Sequence, residues 1–290
     1  MLLKDLPLNR KGDIIIRTKT LQKVECHMVR LGLIQAPAGS DAAENLDTIR
    51  KFIVEGKNAG CRAVCFPEAF LTGYFPGEAA ELALPRSHSL ISQIAALVRS
   101  QQIDLLVGFM EREETHFFLT HGLWRPDGTV SFYRKTHLGE NEQTIFSAGD
   151  CLEVFSLSCG LRVGIQLCVE THFPEITRTY SLGGAEVILA PHASPMTAER
   201  RRNLWTKCLP ARSYDNRVYM ACCNLWDPVR FGGGCMVTDP RGDILLSSFE
   251  NAPGLIPVAI DPQMVHDYHV SDPDKNHHYY PGRRRPELYR

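Results

Sequence analysis

Three ionisable residues follow short apolar runs of the sequence and could together supply a nucleophile, a cation and a base. Cys168 closes one such run, and Lys135 and Glu68 each follow another. In α/β proteins, functional sites gather beyond the ends of the strands. We therefore expect these three side chains to meet in one pocket.

The position of Cys168 favours a reactive thiol. Pro174 and Glu175, shortly after it, are typical of the first turn of a helix. A helix N-terminus presents unpaired N–H groups and a partial positive charge, which lower a thiol pKa and can hold an oxyanion. The alternative for any one of ten cysteines is an inert thiol in the core.

The other two residues complement a thiol. A carboxylate such as Glu68 can take its proton, and an ammonium such as Lys135 can stabilise the oxyanion of a tetrahedral intermediate. Glu142 lies seven residues after Lys135 and could reach back into the same pocket. Two carboxylates beside one lysine keep it charged, while their mutual repulsion raises the pKa of one of them.

Composition limits the class of protein. The net charge of −1 over 290 residues favours neither nucleic acid nor an anionic membrane as a partner. No stretch of about 20 apolar residues predicts a membrane span, and the N-terminus lacks the apolar region of a signal peptide. The cysteines form no CxxC pair and no zinc spacing, so we expect reduced thiols and a cytoplasmic location.

Alternating helix and strand patterns predict an α/β fold with mixed sheets. The two halves of the pattern resemble each other, which favours two packed sheets with helices outside. Strands are expected at Val29–Gln35, residues 63–66, 105–109, His116–Trp124, residues 129–134, 151–157, 161–167, 185–190, 218–222, 234–238, 244–247 and Gly254–Ile260. Helices are expected at residues 41–59, 87–100, 173–182 and 197–215.

Three segments carry a family resemblance. Residues 66–74 (FPEAFLTGY), 133–138 (YRKTHL) and 167–175 (LCVETHFPE) resemble, in order, the signature segments of the nitrilase superfamily of carbon–nitrogen hydrolases. The resemblance covers about residues 29–260. It implies a four-layer α-β-β-α sandwich with two mixed sheets and no metal or organic cofactor.

The resemblance also implies roles for matching residues. Glu68 is expected to be the general base and acid, Lys135 the oxyanion stabiliser and Cys168 the nucleophile. Glu142 matches a second family glutamate that helps position the substrate. The backbone N–H of Val169 is expected to join Lys135 at the oxyanion.

The segment after the nucleophile departs from parts of the family. Val169 stands where an aromatic residue is common, and the Phe-Pro-Glu ending resembles the amidase and carbamoylase branches, which favours amide over nitrile substrates. D-amino-acid carbamoylases carry two arginines in this segment, whereas Thr171 and His172 stand here, so no arginine clamp is expected in it. His172 either binds an anion when protonated or is a packing residue at the rim.

Other loops supply candidate pocket residues. His192 and Ser194 follow a predicted strand and either determine specificity or only turn the chain, and Tyr74 is expected to wall the pocket. On the predicted helix 197–215, Trp205 and Leu209 are expected in the core. Three consecutive arginines at 200–202 are expected at its solvated start, and Arg212 is expected to pair with Asp215.

These patterns predict a hydrolase that cleaves the C–N bond of a small amide or N-carbamoyl compound through a cysteine thioester. The alternatives are a nitrilase that forms a carboxylate, or an inactive binding member of the fold; a thiol redox protein is disfavoured because CxxC is absent. The expected domains are an N-terminal extension (1–28), a hydrolase domain (29–262) and a tail (263–290). The resemblance implies a homodimer or larger homo-oligomer, and the tyrosines and arginines of the tail predict that the tail crosses a subunit boundary.

Overall fold

The computed structural model describes residues 28–269 and 280–289, and within them twelve strands form two sheets of six. The strands are β1 (Val29–Gln35), β2 (Ala63–Cys65), β3 (Asp104–Glu113), β4 (His116–Trp124), β5 (Val130–Arg134), β6 (Phe155–Ser156), β7 (Arg162–Ile165), β8 (Val187–His192), β9 (Tyr219–Asn224), β10 (Cys235–Thr238), β11 (Ile244–Ser248) and β12 (Gly254–Ile260). The helices are α1 (Ala42–Asn58), α2 (Ala79–Leu82), α3 (Ser89–Gln101), α4 (Pro174–Leu182), α5 (Ala198–Asn216) and α6 (Pro262–His269).

Both sheets are mixed. The first has the order β12-β1-β2-β3-β4-β5 and the second the order β11-β10-β9-β8-β7-β6. In the first sheet β1, β2 and β3 are parallel, and in the second β7, β8 and β9 are parallel, with antiparallel strands outside them. The two parallel centres place the carboxyl ends of several strands together, where loops can build a site.

Three of the four buried clusters among the described residues hold the layers together. Leu33 and Cys65 of the first sheet face Val163 and Leu189 of the second in the central cluster. Apolar faces of α1 and α3 cover the outside of the first sheet, and those of α4 and α5 cover the second. The architecture is the predicted α-β-β-α sandwich.

Local sequence signals explain the helix boundaries. The Asp41 carboxylate accepts hydrogen bonds from the backbone N–H groups of Ala43 at 2.8 Å and Glu44 at 3.3 Å, so α1 begins where the capping residue predicts. In α5 the Thr197 hydroxyl accepts from the Arg200 N–H. Caps of this kind fix where the loops that precede the helices must end.

Some elements differ from expectation. The strands expected at 151–157 and 161–167 are shorter in the structure, where they form β6 and β7. The chain turns sharply between them and leaves the sheet after Ile165. Helix α2 has four residues, too few for a periodic pattern. Helix α6 was not expected; its Val265 is buried in the central cluster.

The chain ends were predicted to be an extension and a tail. The extension at 1–28 lies outside the described residues except for Met28, as do residues 270–279 and 290 of the tail. Tail residues 280–289 lie beside α4 and α5, where the Tyr280 ring packs 6.1 Å from that of Tyr214. Over the part of the chain described here, no helix combines the length and apolarity that crossing a bilayer requires.

Candidate active site

Four loops that follow strand ends build one buried cluster of polar groups. Glu68 follows β2, Lys135 follows β5, Cys168 follows β7 and Ala193 follows β8. The sequence predicted the first three to meet. The loop after β8 joins them directly, because the Ala193 N–H donates a hydrogen bond to Oε2 of Glu68 at 3.1 Å.

Lys135 lies between two carboxylates. Its Nζ donates to Oε1 of Glu68 at 2.8 Å and to Oε1 of Glu142 at 2.9 Å. All three residues are at least 96% buried. An ammonium carries three N–H donors, so Lys135 can hold both carboxylates and still direct a proton towards a ligand.

Glu142 is fixed from the other side. The Tyr74 hydroxyl donates to its Oε1 at 2.6 Å, and the Gly139 N–H donates to its Oε2 at 2.6 Å. Tyr74 therefore supports the cluster through Glu142 as well as standing at its edge. Buried carboxylates are tolerated when paired and hydrogen-bonded in this way.

The electrostatic environment separates the protonation states of the cluster. Burial raises the pKa of the Glu68 carboxyl to about 7; Lys135 opposes the rise and Glu142 adds to it. Burial alone would lower the pKa of the Lys135 ammonium, but Glu68, Cys168 and Glu142 hold it above its ordinary value. The expectation that one carboxylate pKa is raised agrees in direction, with burial rather than repulsion as the main cause.

Cys168 sits on a strained turn at the end of the β7 segment. Its φ of +46° lies in the left-handed region, which residues other than glycine seldom adopt, and it opens a 3-10 turn at Cys168–His172. The residue as a whole is only half-buried. The backbone N–H of Val169, next to it, has no hydrogen-bond partner among the described residues.

The predicted lowering of the thiol pKa is wrong. Burial raises the pKa of the Cys168 thiol to about 12, the Glu68 charge adds to the rise, and Lys135 and Arg201 only partly oppose it. The helix that was expected to lower this pKa, α4, begins only at Pro174, beyond the 3-10 turn. The helix N-terminus is therefore too far from the sulfur to outweigh burial beside a carboxylate.

Glu170 connects the lysine loop with the cysteine turn, a role that the sequence analysis missed. Its Oε1 accepts from the Thr136 N–H at 2.8 Å and from the Tyr133 hydroxyl at 2.7 Å. Its Oε2 accepts from the Leu167 N–H at 2.6 Å. One buried carboxylate thus fixes the residues on both sides of Lys135 and the residue before Cys168. Its acidic type beside the nucleophile was the available signal.

The three remaining pocket candidates occupy different environments. His192 is buried, with Nδ1 2.8 Å from the Ala190 carbonyl and Nε2 accepting from the Trp205 indole at 3.3 Å, so both ring nitrogens are engaged within the protein. His172 is exposed, and partial burial together with nearby arginines lowers its pKa, which disfavours the protonated form. Ser194 is buried, and its hydroxyl accepts from Arg201.

The arginine run at the start of α5 is not uniformly solvated. Arg200 and Arg202 are exposed, but Arg201 is 97% buried. Arg212 does not pair with Asp215; its guanidinium donates to the carbonyls of Thr171 and His172. Both differences arise because one face of α5 is buried: Arg201 lies against Ser194 and Met196 of the loop after β8, and Arg212 against the turn that begins at Cys168.

The loop after β8 also borders a cavity, whose lining includes none of Glu68, Lys135 and Cys168. This cavity of about 380 Å³ is lined by residues that include Met196, Arg230 and Phe231. Arg230 donates to the Tyr74 carbonyl at 3.1 Å, which links the cavity wall to the cluster. Among residues 28–269 and 280–289, no three His, Cys, Asp or Glu side chains are grouped so that they could hold a metal ion.

An α-β-β-α sandwich with a thiol and a paired ammonium at its strand ends has the architecture of an α/β hydrolytic enzyme. The carbon–nitrogen hydrolase family model matches residues 30–270, and the chain belongs to that family. The resemblance to the nitrilase superfamily and the predicted hydrolase class are confirmed.

Curated relatives and solved structures agree with this family assignment. The chain is 30% identical to an (R)-stereoselective amidase of Pseudomonas sp. over 190 residues, 63% of this chain and 67% of the relative. It is 26% identical to a nitrilase of Pyrococcus abyssi over 268 residues, 87% and 99% of the two chains.

Solved structures of an amidase from Nesterenkonia sp. AN1 superpose with a TM-score of 0.77 at 25% identity, covering 90% of this chain and 95% of that one. One carries the acetamide moiety of fluoroacetamide covalently added at its active-site cysteine, and another, a cysteine-to-alanine variant, is in complex with butyramide.

Proposed function

We propose that this enzyme hydrolyses the C–N bond of a small carboxamide or N-carbamoyl compound through a thioester on Cys168. The observation that carries the proposal is the position of Lys135, which contacts Glu68 and Glu142 beside a thiol on a strained turn. The Nesterenkonia amidase structures support the amide class, since they hold butyramide and an acetamide adduct.

The first step forms the thioester. The Cys168 thiol is protonated at rest because its pKa is about 12, so it needs a base during attack. Glu68, with a pKa of about 7, is available to take that proton as sulfur bonds to the amide carbon. The oxygen of the tetrahedral intermediate is stabilised by Lys135 and the Val169 N–H.

The second half of the cycle returns the enzyme to its resting state. Protonated Glu68 gives its proton to the departing nitrogen, and ammonia or an amine leaves as the C–N bond breaks. Glu68 then takes a proton from water, which attacks the thioester, and the carboxylic acid leaves as the proton returns to the sulfur. Glu142 acts as a positioning residue because it holds Lys135, with Tyr74 behind it.

The pocket roles follow from the contacts. Val169 contributes its backbone N–H, His172 contributes to the rim, and Ser194 belongs to the buried loop after β8, where its hydroxyl accepts a hydrogen bond from Arg201. We assign no substrate contact to His192, because both of its ring nitrogens are engaged within the protein.

Product release from a panel of small molecules tests the proposal. Aliphatic amides, N-carbamoyl amines, N-carbamoyl acids and nitriles are incubated with the wild type and with Cys168→Ala, and ammonia and carboxylate are measured. At least one amide or carbamoyl compound should be hydrolysed by the wild type alone. Cys159→Ala, at an exposed cysteine, is the matched control and should keep full activity.

Intact mass spectrometry provides the second readout. Wild type quenched with acid during turnover should carry a protein mass raised by one acyl group that hydroxylamine removes, whereas Cys168→Ala should carry none, and Glu68→Gln should form little of it because it lacks the base for attack. Turnover by Cys168→Ala, or carboxylate formed from nitriles only, would contradict the proposal.

We also propose that the enzyme works in a reducing cytoplasm as a homodimer or larger homo-oligomer, with residues 29–262 as the hydrolase domain. All nine described cysteines are free thiols, and tail residues at 280–289 carry exposed side chains such as Tyr289 and Leu288 beside α4. Deletion of residues 281–290 should lower the mass measured by light scattering; an unchanged mass contradicts a role of the tail in assembly.

A further inference from the structure

Arg201 is the buried cation of the site that the proposed chemistry leaves without a role. It lies in the first turns of α5 and is 3% exposed, while its sequence neighbours Arg200 and Arg202 are exposed. Arginine is seldom buried unless it is paired, because removing its charge from water is costly.

No carboxylate among the described residues pairs with Arg201. Its Nη2 donates to the Ser194 hydroxyl and lies 3.3 Å from the Met196 sulfur, and its guanidinium lies 5.4 Å from the centre of the Trp205 ring. Its Nε is fully buried and has no hydrogen-bond partner. These neighbours are all uncharged, so the charge and one buried donor of Arg201 remain unsatisfied within the described chain.

The neighbours of Arg201 connect it to the reacting centre. Ser194 directly follows Ala193, whose N–H holds Glu68. The other partner, Met196, lines the cavity of about 380 Å³. Ser194 and Met196 therefore connect Arg201 to the loop that holds Glu68 and to the wall of this cavity, although Arg201 itself does not line it.

The effect of the Arg201 charge on neighbouring groups agrees with a position near the reacting centre. Burial dominates the pKa of both the Cys168 thiol and the His172 imidazole, and the Arg201 charge lowers each of them. The acidic groups of the cluster are already engaged, since both Glu68 and Glu142 contact Lys135. Neither carboxylate of the cluster is free to neutralise Arg201, which leaves that role open to a bound anion.

We propose that Arg201, with the Ser194 hydroxyl beside it, binds a carboxylate of the substrate, so that the compound cleaved at Cys168 carries both an amide and a carboxylate. The planar guanidinium matches a carboxylate in geometry and charge. A phosphate dianion fits less well, because Arg212 is engaged with backbone carbonyls and His172 is held towards its neutral form. This inference rests on the proposed function and adds the substrate class.

Isosteric pairs of amides test the subsite. Succinamate is compared with 4-methylpentanamide, and glutaramate with 5-methylhexanamide, since an isopropyl group replaces the carboxylate at nearly equal size. Wild-type kcat/KM should favour the carboxylate member of at least one pair by about 10²-fold or more. Arg201→Met should remove most of that preference, mainly through KM, whereas Arg200→Met should keep it.

Equilibrium binding separates this inference from the proposed chemistry. Binding of succinate and glutarate is measured by calorimetry on the otherwise unaltered protein and on Arg201→Met, with thermal unfolding to establish that each is folded. Affinity for succinate or glutarate that is about tenfold or more weaker in Arg201→Met supports the subsite. This holds even if no amide is hydrolysed, because the absence of hydrolysis would contradict only the proposed function.

Three results overturn the subsite. One is equal kcat/KM for both members of each pair in the wild type, and another is a loss in Arg201→Met that is the same for both members. The third is an absence of Arg201-dependent dicarboxylate binding. Arg201→Lys, which keeps the charge but not the planar fork, provides a second variant should Arg201→Met fail to fold, and it should retain part of the preference.

Discussion

Oε1 of Glu170 accepts a hydrogen bond from the Thr136 backbone N–H at 2.8 Å, which ties the residue after Lys135 to the turn that begins at Cys168. The ammonium and the sulfur come from loops on different sheets, so their separation depends on such a connection. Glu170 is fully buried and accepts bonds from both sides. We regard it as a positioning residue of the catalytic cluster.

Replacing Glu170 by glutamine should impair catalysis more than substrate binding. The amide keeps the shape of the side chain but turns an N–H₂ group towards donors that need an acceptor. We expect kcat to fall by about 10²-fold because the cluster is misplaced, and the free energy of unfolding to fall by about 2 kcal/mol. Steady-state kinetics and urea unfolding measure the two effects.

Glu175→Gln is the matched control for this experiment, since Glu175 is exposed in the first turn of α4. Its kinetics should equal those of the wild type. A Glu170→Gln enzyme with a normal kcat would show that the connection between the loops is not needed for turnover.

Lys135→Met should lower kcat by about 10²–10³-fold if the ammonium stabilises the oxyanion. The neutral side chain also leaves Glu68 and Glu142 facing each other without a cation, so some loss of stability is expected. Comparison of kcat at temperatures well below the unfolding midpoint isolates the catalytic effect. Lys57→Met, at an exposed lysine in the last turn of α1, serves as control; a loss below threefold at Lys135 argues for a structural role only.

The pH dependence of kcat/KM should report Glu68. The unprotonated carboxylate is the active form and its pKa is about 7, so kcat/KM for an uncharged amide should rise through pH 7 and level off above pH 8. The Lys135 ammonium and the Cys168 thiol both have raised pKa values, so neither should cause a fall below about pH 10.

Glu142→Gln provides a directional check on this assignment. The Glu142 charge contributes to the raised pKa of Glu68, so its removal should move the rising limb of the residual activity to lower pH. A limb that stays in place or moves upward would show that another group controls the profile.

Tyr74→Phe should reduce kcat/KM by roughly tenfold, since the variant loses the 2.6 Å hydrogen bond that fixes Glu142 but keeps the ring. Tyr289→Phe removes a hydroxyl from an exposed tyrosine and should have no effect. Equal activity of the two variants would show that the hydrogen bond from Tyr74 to Glu142 does not contribute to catalysis.

Residues that follow strand ends could be predicted from the sequence, because a strand pattern and a short family segment fix where Glu68, Lys135 and Cys168 lie. Their protonation states could not, since the raised pKa of the thiol depends on burial beside a carboxylate from another loop. The helix N-terminus predicted from Pro174 and Glu175 indicated a lowered pKa of the Cys168 thiol instead.

Arg201 illustrates a signal that was present but unused. It precedes Trp205 by four residues and Leu209 by eight, so the three share one face of a helix, and the structure buries all of them. Trp205 and Leu209 were correctly expected in the core. The charge of Arg201 led to the wrong expectation, because periodicity indicates burial whereas residue type alone indicates exposure.

The raised pKa of the Cys168 thiol affects how readily oxidants inactivate the enzyme. Peroxide attacks thiolates, and a sulfur that keeps its proton at neutral pH forms sulfenic acid slowly. The resting enzyme should therefore resist inactivation by hydrogen peroxide, even though Cys168 is only half-buried. The proton leaves the sulfur only as the bond to the acyl group forms. Throughout turnover the sulfur is therefore either a thiol or a thioester, and the thiolate that peroxide would oxidise does not accumulate.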